Sequence, residues 1–277
     1  MLDLTYDIAE MSLATFTRAR EQGVPLVALP LFTGRRFMQP AVLFNSKAGL
    51  ASPADLRNRR VALPQFWMTS SVWHRLILRQ IYGISQTEVH WITTADERLL
   101  SLGLPPEATR DTTGRSPQEL VECGEAEALM GPGVGGPPRI IPGAGQDAIV
   151  PAFTDLITAQ REYYERTAIF PVAHCIVMKQ ELADGDPELV EDLCNTFERA
   201  KQLGLPAVLE NPATRPIAGL DRTETRRLFG DDPWPYGIAP SRNLLETFLS
   251  DALDQGLIHR EMAVDELFPA TLPDQFQ

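Results

Sequence analysis

The order of apolar and polar positions divides the chain into short strands and amphipathic helices. Tyr6 to Ser12 reads as a strand entering a turn, and Leu13, Phe16 and Thr17 begin a helix that ends near Gly23. Val24 to Leu31 and Ala41 to Asn45 are further apolar runs of strand type, separated by Thr33-Gly34-Arg35-Arg36-Phe37. Ser52, with Pro53 at the first helical position, opens a short helix that delivers the chain to a strand at Val61-Ala62-Leu63. After Pro64, Thr69-Ser70-Ser71 supplies N-cap chemistry for a helix that is expected to bury Val72, Leu76 and the aliphatic stem of Arg79 on one side and Trp73, Ile77 and Ile81 beside them, leaving a narrow polar face. Val89 to Ile92 is the next strand, followed by a polar stretch to Thr113 without periodicity. Pro117 to Gly124 reads as a short helix and Ala128 to Met130 as a strand. The Gly- and Pro-rich segment from Gly131 to Gly145 lacks the Gly-Lys-Ser/Thr ending of a phosphate loop and reads as an irregular connection. Phe153 to Arg166 is helical in pattern and Ile169 to Met178 strand-like. The remainder is mainly helical, over Pro187 to Leu203, Arg222 to Phe229 and Ser241 to Leu253. The last carries Leu245, Phe248, Leu249, Ala252 and Leu253 on one stripe, with Gly256 as its stop.

Strands alternating with helices indicate an α/β protein with largely parallel sheets, in which ligands sit beyond the carboxyl ends of the strands. That places Glu10 to Thr15, Arg35 to Gln39 and Met68 to Ser71 near one crevice. At 277 residues, 44% hydrophobic and 22% charged, the chain has the composition of a globular protein with a full core. A net charge of -12 without a basic stripe argues against nucleic-acid binding. Cys123, Cys175 and Cys194 match no metal spacing and read as free, buried thiols in a reducing compartment. No stretch approaches a membrane span, since Pro25 and Pro30 cut the apolar run from Val24 to Phe32. MLDLTYDIAEM shows no basic segment followed by an apolar one. A cytoplasmic location is therefore expected, or a periplasmic one if a start further upstream encodes a signal.

Several segments carry a resemblance. Ser52-Pro-Ala-Asp-Leu-Arg-Asn-Arg-Arg-Val-Ala-Leu-Pro64 resembles the SPADLxGKRVGVP segment of type II periplasmic-binding-protein-like domains. Asp7-Ile-Ala-Glu-Met-Ser-Leu13, Met68-Thr-Ser-Ser-Val-Trp73, Ile169-Phe-Pro-Val-Ala-His174 and Trp234-Pro-Tyr-Gly-Ile238, with Glu266-Leu-Phe268, are similar to segments of the 4,5-dihydroxyphthalate decarboxylase family. The likeness runs over nearly the whole chain. It implies two α/β lobes with mixed, largely parallel sheets and a ligand cleft between them. Residues 1–57 with 169–277 would form the first lobe, and 58–168 the second. Helix-start hydroxyls at Thr69, Ser70 and Ser71 would face the Glu10-Met11-Ser12 turn. The family carries an Arg-x-Phe-Arg-His run where this chain has Arg35-Arg36-Phe37-Met38-Gln39, and Gly-Pro-Arg where it has Gly131-Pro132-Gly133. Loss of two Arg and a His weakens the hold on a dianionic phthalate and brings a monocarboxylic substrate into view. Relatives also have roughly one further strand-helix unit, about 40 residues, before the Asp7 strand. That strand or a neighbour is therefore expected to show an unpaired apolar edge.

The implied activity is decarboxylation of a hydroxylated aromatic acid to a protocatechuate-type product, by ring protonation and loss of carbon dioxide. The site needs a base for the phenol, an acid for the ring carbon and donors for the retained carboxylate. His174 is the first choice for proton transfer, against a histidine packed in its strand. Glu10 would be the phenol base or a ligand acceptor, against a surface carboxylate. Arg35 and Arg36 could clamp a carboxylate, at least one of them being simply solvated. Ser12, Thr69, Ser70 and Ser71 are anion donors on one reading and helix caps on the other. His74, one step past the cap, points to ligand or to solvent. Tyr164, Trp234 and Tyr236 are cleft walls or phenolic donors, against ordinary packing. His74, His90, His174 and His259 lack the short spacings of zinc sites, so no cofactor is assigned, although a catechol-type substrate leaves room for a divalent metal. The expected partner is a small aromatic carboxylate, and assembly into a homo-oligomer stays open. The same fold also serves substrate-binding proteins of ABC-type transporters and sensors, which is the alternative function.

Overall fold

The computed structural model describes residues 2–99, 102–131 and 148–277. Beyond Gly131 the Gly- and Pro-rich segment, with Pro132 and Gly133, lies outside the described residues. The chain forms two compact units, Met1–Phe37 with Gln160–Gln277, and Met38–Ala159.

In the first unit, β1 (Ile8–Ser12) runs directly into α1 (Leu13–Glu21), and β2 (Leu26–Ala28) and the two-residue β3 (Gly34–Arg35) follow. Ser12 caps α1: its Oγ accepts from the Thr15 N–H at 3.4 Å and donates to Thr15 Oγ1 at 2.8 Å. Leu13, Ala14 and Phe16 are buried beneath it.

The second unit holds β4 (Val42–Asn45), β5 (Arg60–Leu63), α2 (Thr69–Tyr82), β6 (His90–Thr93), β7 (Ala108–Arg110), α3 (Pro117–Glu122), β8 (Ala128–Met130) and β9 (Ile149–Pro151). Their order in the sheet is β7-β6-β5-β8-β4-β9. β5 is parallel to β6 and β8, β6 is parallel to β7, and β4 is antiparallel to β8 and β9. Leu43, Ala62, Leu129 and Ile149 from this sheet pack on Leu120 and Val121 of α3. Because β4 pairs with β8 and β9, the division falls after Phe37 and after Ala159, earlier than the 57/58 and 168/169 divisions expected from the sequence.

Helix α4 (Leu156–Thr167) leads back to β10 (Val172–Lys179), which α5 (Gln180–Gly185), α6 (Pro187–Glu210), α7 (Arg222–Phe229) and α8 (Arg242–Asp254) follow. β10 is the centre of the first unit's sheet, and Val172, Cys175, Val177 and Met178 on it are fully buried. Among the described residues all its pairings are antiparallel, to β1, β2 and β3, and parallel pairing is found in the second unit. The outer edge of β1 meets no strand among the described residues, and Ile8 and Ala9 on it are only partly buried. Cys175 and Cys194 are buried free thiols, whereas Cys123 is exposed, because α3 ends at Glu122 and the next three residues face solvent. No helix among the described residues is long and apolar enough to cross a membrane.

The Trp234-Pro235-Tyr236-Gly237 turn is held to the first unit by Gly237, whose N–H donates to the Pro30 carbonyl at 2.9 Å. Gly237 has φ +107, and a Cβ there would sit 3.4 Å from Pro240 Cδ. L-residues rarely adopt that backbone, so Gly237→Ala is expected to destabilise the protein by about 1–2 kcal/mol, read as a lower denaturant midpoint with an unchanged slope.

Candidate active site

The register of β10 gathers the first group of side chains. Ser12 of β1 and Gly34 of β3 both lie opposite His174, and Glu10 lies opposite Ile176. Residues two apart on a strand share a face, so Glu10 and Ser12 project on the side of His174. There Glu10 Oε1 accepts from Thr33 Oγ1 at 2.7 Å and stands 3.0 Å from His174 Nδ1. The Thr33 hydroxyl holds the Glu10 carboxyl below its ordinary range against the opposing effect of burial, and the imidazole adds to the lowering. An ionised carboxylate only accepts, so Nδ1 carries the proton of this bond and Nε2 is the nitrogen left for chemistry. Glu10 is exposed and His174 partly exposed, so a ligand can reach the pair. In the sequence Thr33 stands only at the start of the connection to Phe37, with nothing local to mark it as a partner of Glu10. Ser12 is close in register, but its hydroxyl is engaged as the cap of α1.

The second group lies around Arg35. One guanidinium nitrogen donates to the Pro235 carbonyl at 3.0 Å and to Ser241 Oγ at 2.8 Å, and the cation sits 5.4 Å from the Phe32 ring centre. Burial lowers its pKa to about 10, against the opposing influence of Asp232, Tyr164 and Tyr236. Arg35 Nε is buried without a hydrogen-bond partner among the described residues. The residue thus ties β3 to the Trp234–Gly237 turn and is no freely swinging clamp. Lys201, unread in the sequence, joins the same turn: Nζ bonds Asp232 at 2.5 Å, Glu198 at 2.9 Å and the Trp234 carbonyl at 3.2 Å, and lies 4.4 Å from the Tyr236 ring centre. Trp234 packs near Phe170, at 6.4 Å between centroids. Tyr164 packs on Phe229 at 4.4 Å and Phe37 at 6.3 Å. Burial raises both the Tyr164 and the Tyr236 phenol, so each remains a protonated donor and neither serves as a base near neutrality. Arg36 is partly buried, with its N–H donating to the Pro171 carbonyl at 3.0 Å.

In the second unit the start of α2 differs from expectation. The N-cap is Met68, in extended conformation and without a side-chain bond, so Thr69, Ser70 and Ser71 are the first helical residues. All three are buried. Ser71 Oγ donates to the Gln65 carbonyl at 2.8 Å, whereas Ser70 Oγ has no partner among the described residues. Ahead of them, the N–H groups of Phe66 and Trp67 donate to Glu97 at 2.5 and 3.1 Å, so an internal carboxylate already occupies part of this donor array. His74 does not point to solvent: α2 is buried from Thr69 to Leu78, and His74 is 2% exposed. Its Nε2 donates to the Gly131 carbonyl at 3.0 Å, and burial lowers its pKa to about 4. It lines a small, largely apolar hollow with Met38, Gln39, Val42, Ile77 and Phe153. The two residues that depart from the Arg-His pattern are therefore interior ones, 1% and 4% exposed. Among the described residues no three of His, Cys, Asp or Glu stand together as a metal-ligand set.

Comparison with known proteins adds a relationship that geometry alone does not give. No family model matches the chain. It is 31% identical over 279 residues to the 4,5-dihydroxyphthalate decarboxylase of Comamonas testosteroni, a match spanning 96% of this chain and 83% of that protein. A 4,5-dihydroxyphthalate decarboxylase of Pseudomonas putida is 28% identical over 135 residues, 46% of this chain and 52% of its own. Among solved structures, the periplasmic aliphatic sulphonate binding protein SsuA from Escherichia coli aligns with 100% of this chain and 84% of its own, at a TM-score of 0.56 and 14% identity. At that identity the likeness speaks for fold alone, and the fold is that of the periplasmic binding proteins.

Proposed function

Because the chain belongs to the 4,5-dihydroxyphthalate decarboxylase family, we propose that it is a carboxy-lyase acting on a hydroxylated aromatic carboxylate such as 4,5-dihydroxyphthalate. The relationship over 96% of the chain carries this reading. The Glu10–His174 pair supplies chemistry suited to it. Ionisation of the ring hydroxyl para to the departing carboxylate, its proton passing to solvent, pushes electron density onto that carbon. His174 delivers a proton there from Nε2, while Glu10, bonded at Nδ1, keeps the ring oriented. The carbon–carboxylate bond then breaks, its electron pair returns to the ring, the hydroxyl regains its proton, and carbon dioxide leaves. Arg35, Trp234 and Tyr236 would shape one wall of the aromatic site, with Tyr164 and Tyr236 as phenolic donors and Arg36 as a donor to the retained carboxylate. A cytoplasmic role in aromatic-acid breakdown fits this chemistry.

A substrate panel tests the reading. Carbon dioxide release is expected from 4,5-dihydroxyphthalate or from a para-hydroxylated monocarboxylate, and none from unhydroxylated phthalate, which lacks the electron source. Release from no hydroxylated acid, with a ligand-induced rise in melting temperature, would favour a binding protein instead.

A further inference from the structure

Glu10 Oε1 is shared by two groups, the His174 ring at 3.0 Å and the Thr33 hydroxyl at 2.7 Å. Thr33 immediately precedes β3, whose Gly34 lies opposite His174, and a Cβ at Gly34 would stand only 3.7 Å from that of His174. The backbone carrying Thr33 is therefore fixed against the same strand that carries the imidazole. Glu10 itself sits on an edge strand and is exposed, with freedom to choose other rotamers. The Thr33 bond selects one of them.

We infer that Thr33 is a positioning residue: its hydroxyl locks the Glu10 carboxylate onto His174 Nδ1, so that Nε2 is the nitrogen that exchanges a proton with the substrate. This rests on the proposed proton-transfer role of the pair. Among the described residues, the titratable side chain bonded to Glu10 is His174. His174 comes from β10, and the buried Cys175 thiol, on the other face of the same strand, is pushed up by burial and then by Glu10. The largest influence lowering the Glu10 carboxyl is the Thr33 hydroxyl. Removing that donor disfavours the charged form, so the carboxyl then titrates at higher pH and the acid limb of turnover moves up with it.

Thr33→Val keeps the shape and removes the donor, and Thr33→Ser keeps the donor. In chains carrying carbon-13 at the glutamate carboxyls, with the Glu10 signal identified by its loss in Glu10→Gln, the Glu10 titration is expected to move upward in Thr33→Val and to return in Thr33→Ser. Turnover is expected to fall roughly 3- to 10-fold in the valine variant, the effect of one hydrogen bond, and to recover with serine. An unmoved Glu10 titration with wild-type turnover in Thr33→Val overturns the inference while leaving the decarboxylase reading in place. Undiminished turnover in His174→Ala overturns the proton-transfer reading, and the inference with it.

Discussion

Replacing His174 with alanine is expected to lower kcat for decarboxylation by about 10²–10⁴-fold, the usual contribution of a positioned acid or base. Stability should stay close to wild type, because the His174 side chain is 39% exposed and its removal opens no interior cavity. His174→Asn sharpens the test. Its amide can donate to Glu10 Oε1 but carries no transferable proton, so it should be as inactive as alanine. Glu10→Gln should lose less, because the imidazole remains and only its orientation is relaxed. The double variant Glu10→Gln/His174→Ala should be no worse than His174→Ala alone, since residues acting as a unit do not add. Steady-state kcat and KM, with thermal melts on each variant, read all of this.

Acidification is expected to destabilise the protein through His74. In the fold this imidazole is buried and neutral, with a pKa of about 4 against 6.5 for the free side chain. Below pH 6.5 the unfolded chain gains a proton that the folded chain refuses, so stability falls as pH falls and the loss is complete below pH 4. Between pH 7 and pH 4 the difference amounts to about 3 kcal/mol. His74→Gln provides the control, because its amide can replace the Nε2 donor to Gly131 without titrating. Carboxylates elsewhere change stability in both proteins alike. Denaturant unfolding at several pH values should therefore show a steeper acid loss in wild type than in His74→Gln.

The signals within about twenty residues were readable in the chain. Ser12 ahead of Leu13 and Phe16 gave both the strand end and the start of α1, and Asp221 and Pro187 stand where α7 and α6 begin. The short β3, β7 and β9 were not readable, because they span two or three residues and no period shows over so few, whereas the equally short β8 was marked by its uninterrupted apolar Ala128-Leu129-Met130 run. Helix α6 continues past Gly204 and Pro206 to Glu210, against the local propensity to stop, with only Val190 and Cys194 buried along it. At α2 the hydroxyl run was visible but misplaced by one position, because the cap is made by the backbone of Met68. His174 and Glu10 were recognisable as chemical residue types. Their meeting was not, since the separation of 164 positions is closed by the antiparallel register of β1 and β10. Burial explains the rest: nothing local to His74 or Arg35 announces that one is sealed within α2 and the other is committed to Pro235 and Ser241.

The most direct test of the carboxy-lyase assignment is to incubate the wild-type chain with carboxyl-¹³C-labelled 4,5-dihydroxyphthalate in D₂O and follow labelled carbon dioxide and the aromatic product together. The account predicts carbon dioxide and 3,4-dihydroxybenzoate in equal amounts, with one deuterium at the vacated ring carbon. Tight binding of the acid, with no labelled carbon dioxide from it or from any para-hydroxylated benzoate, would contradict the account and leave a receptor in its place.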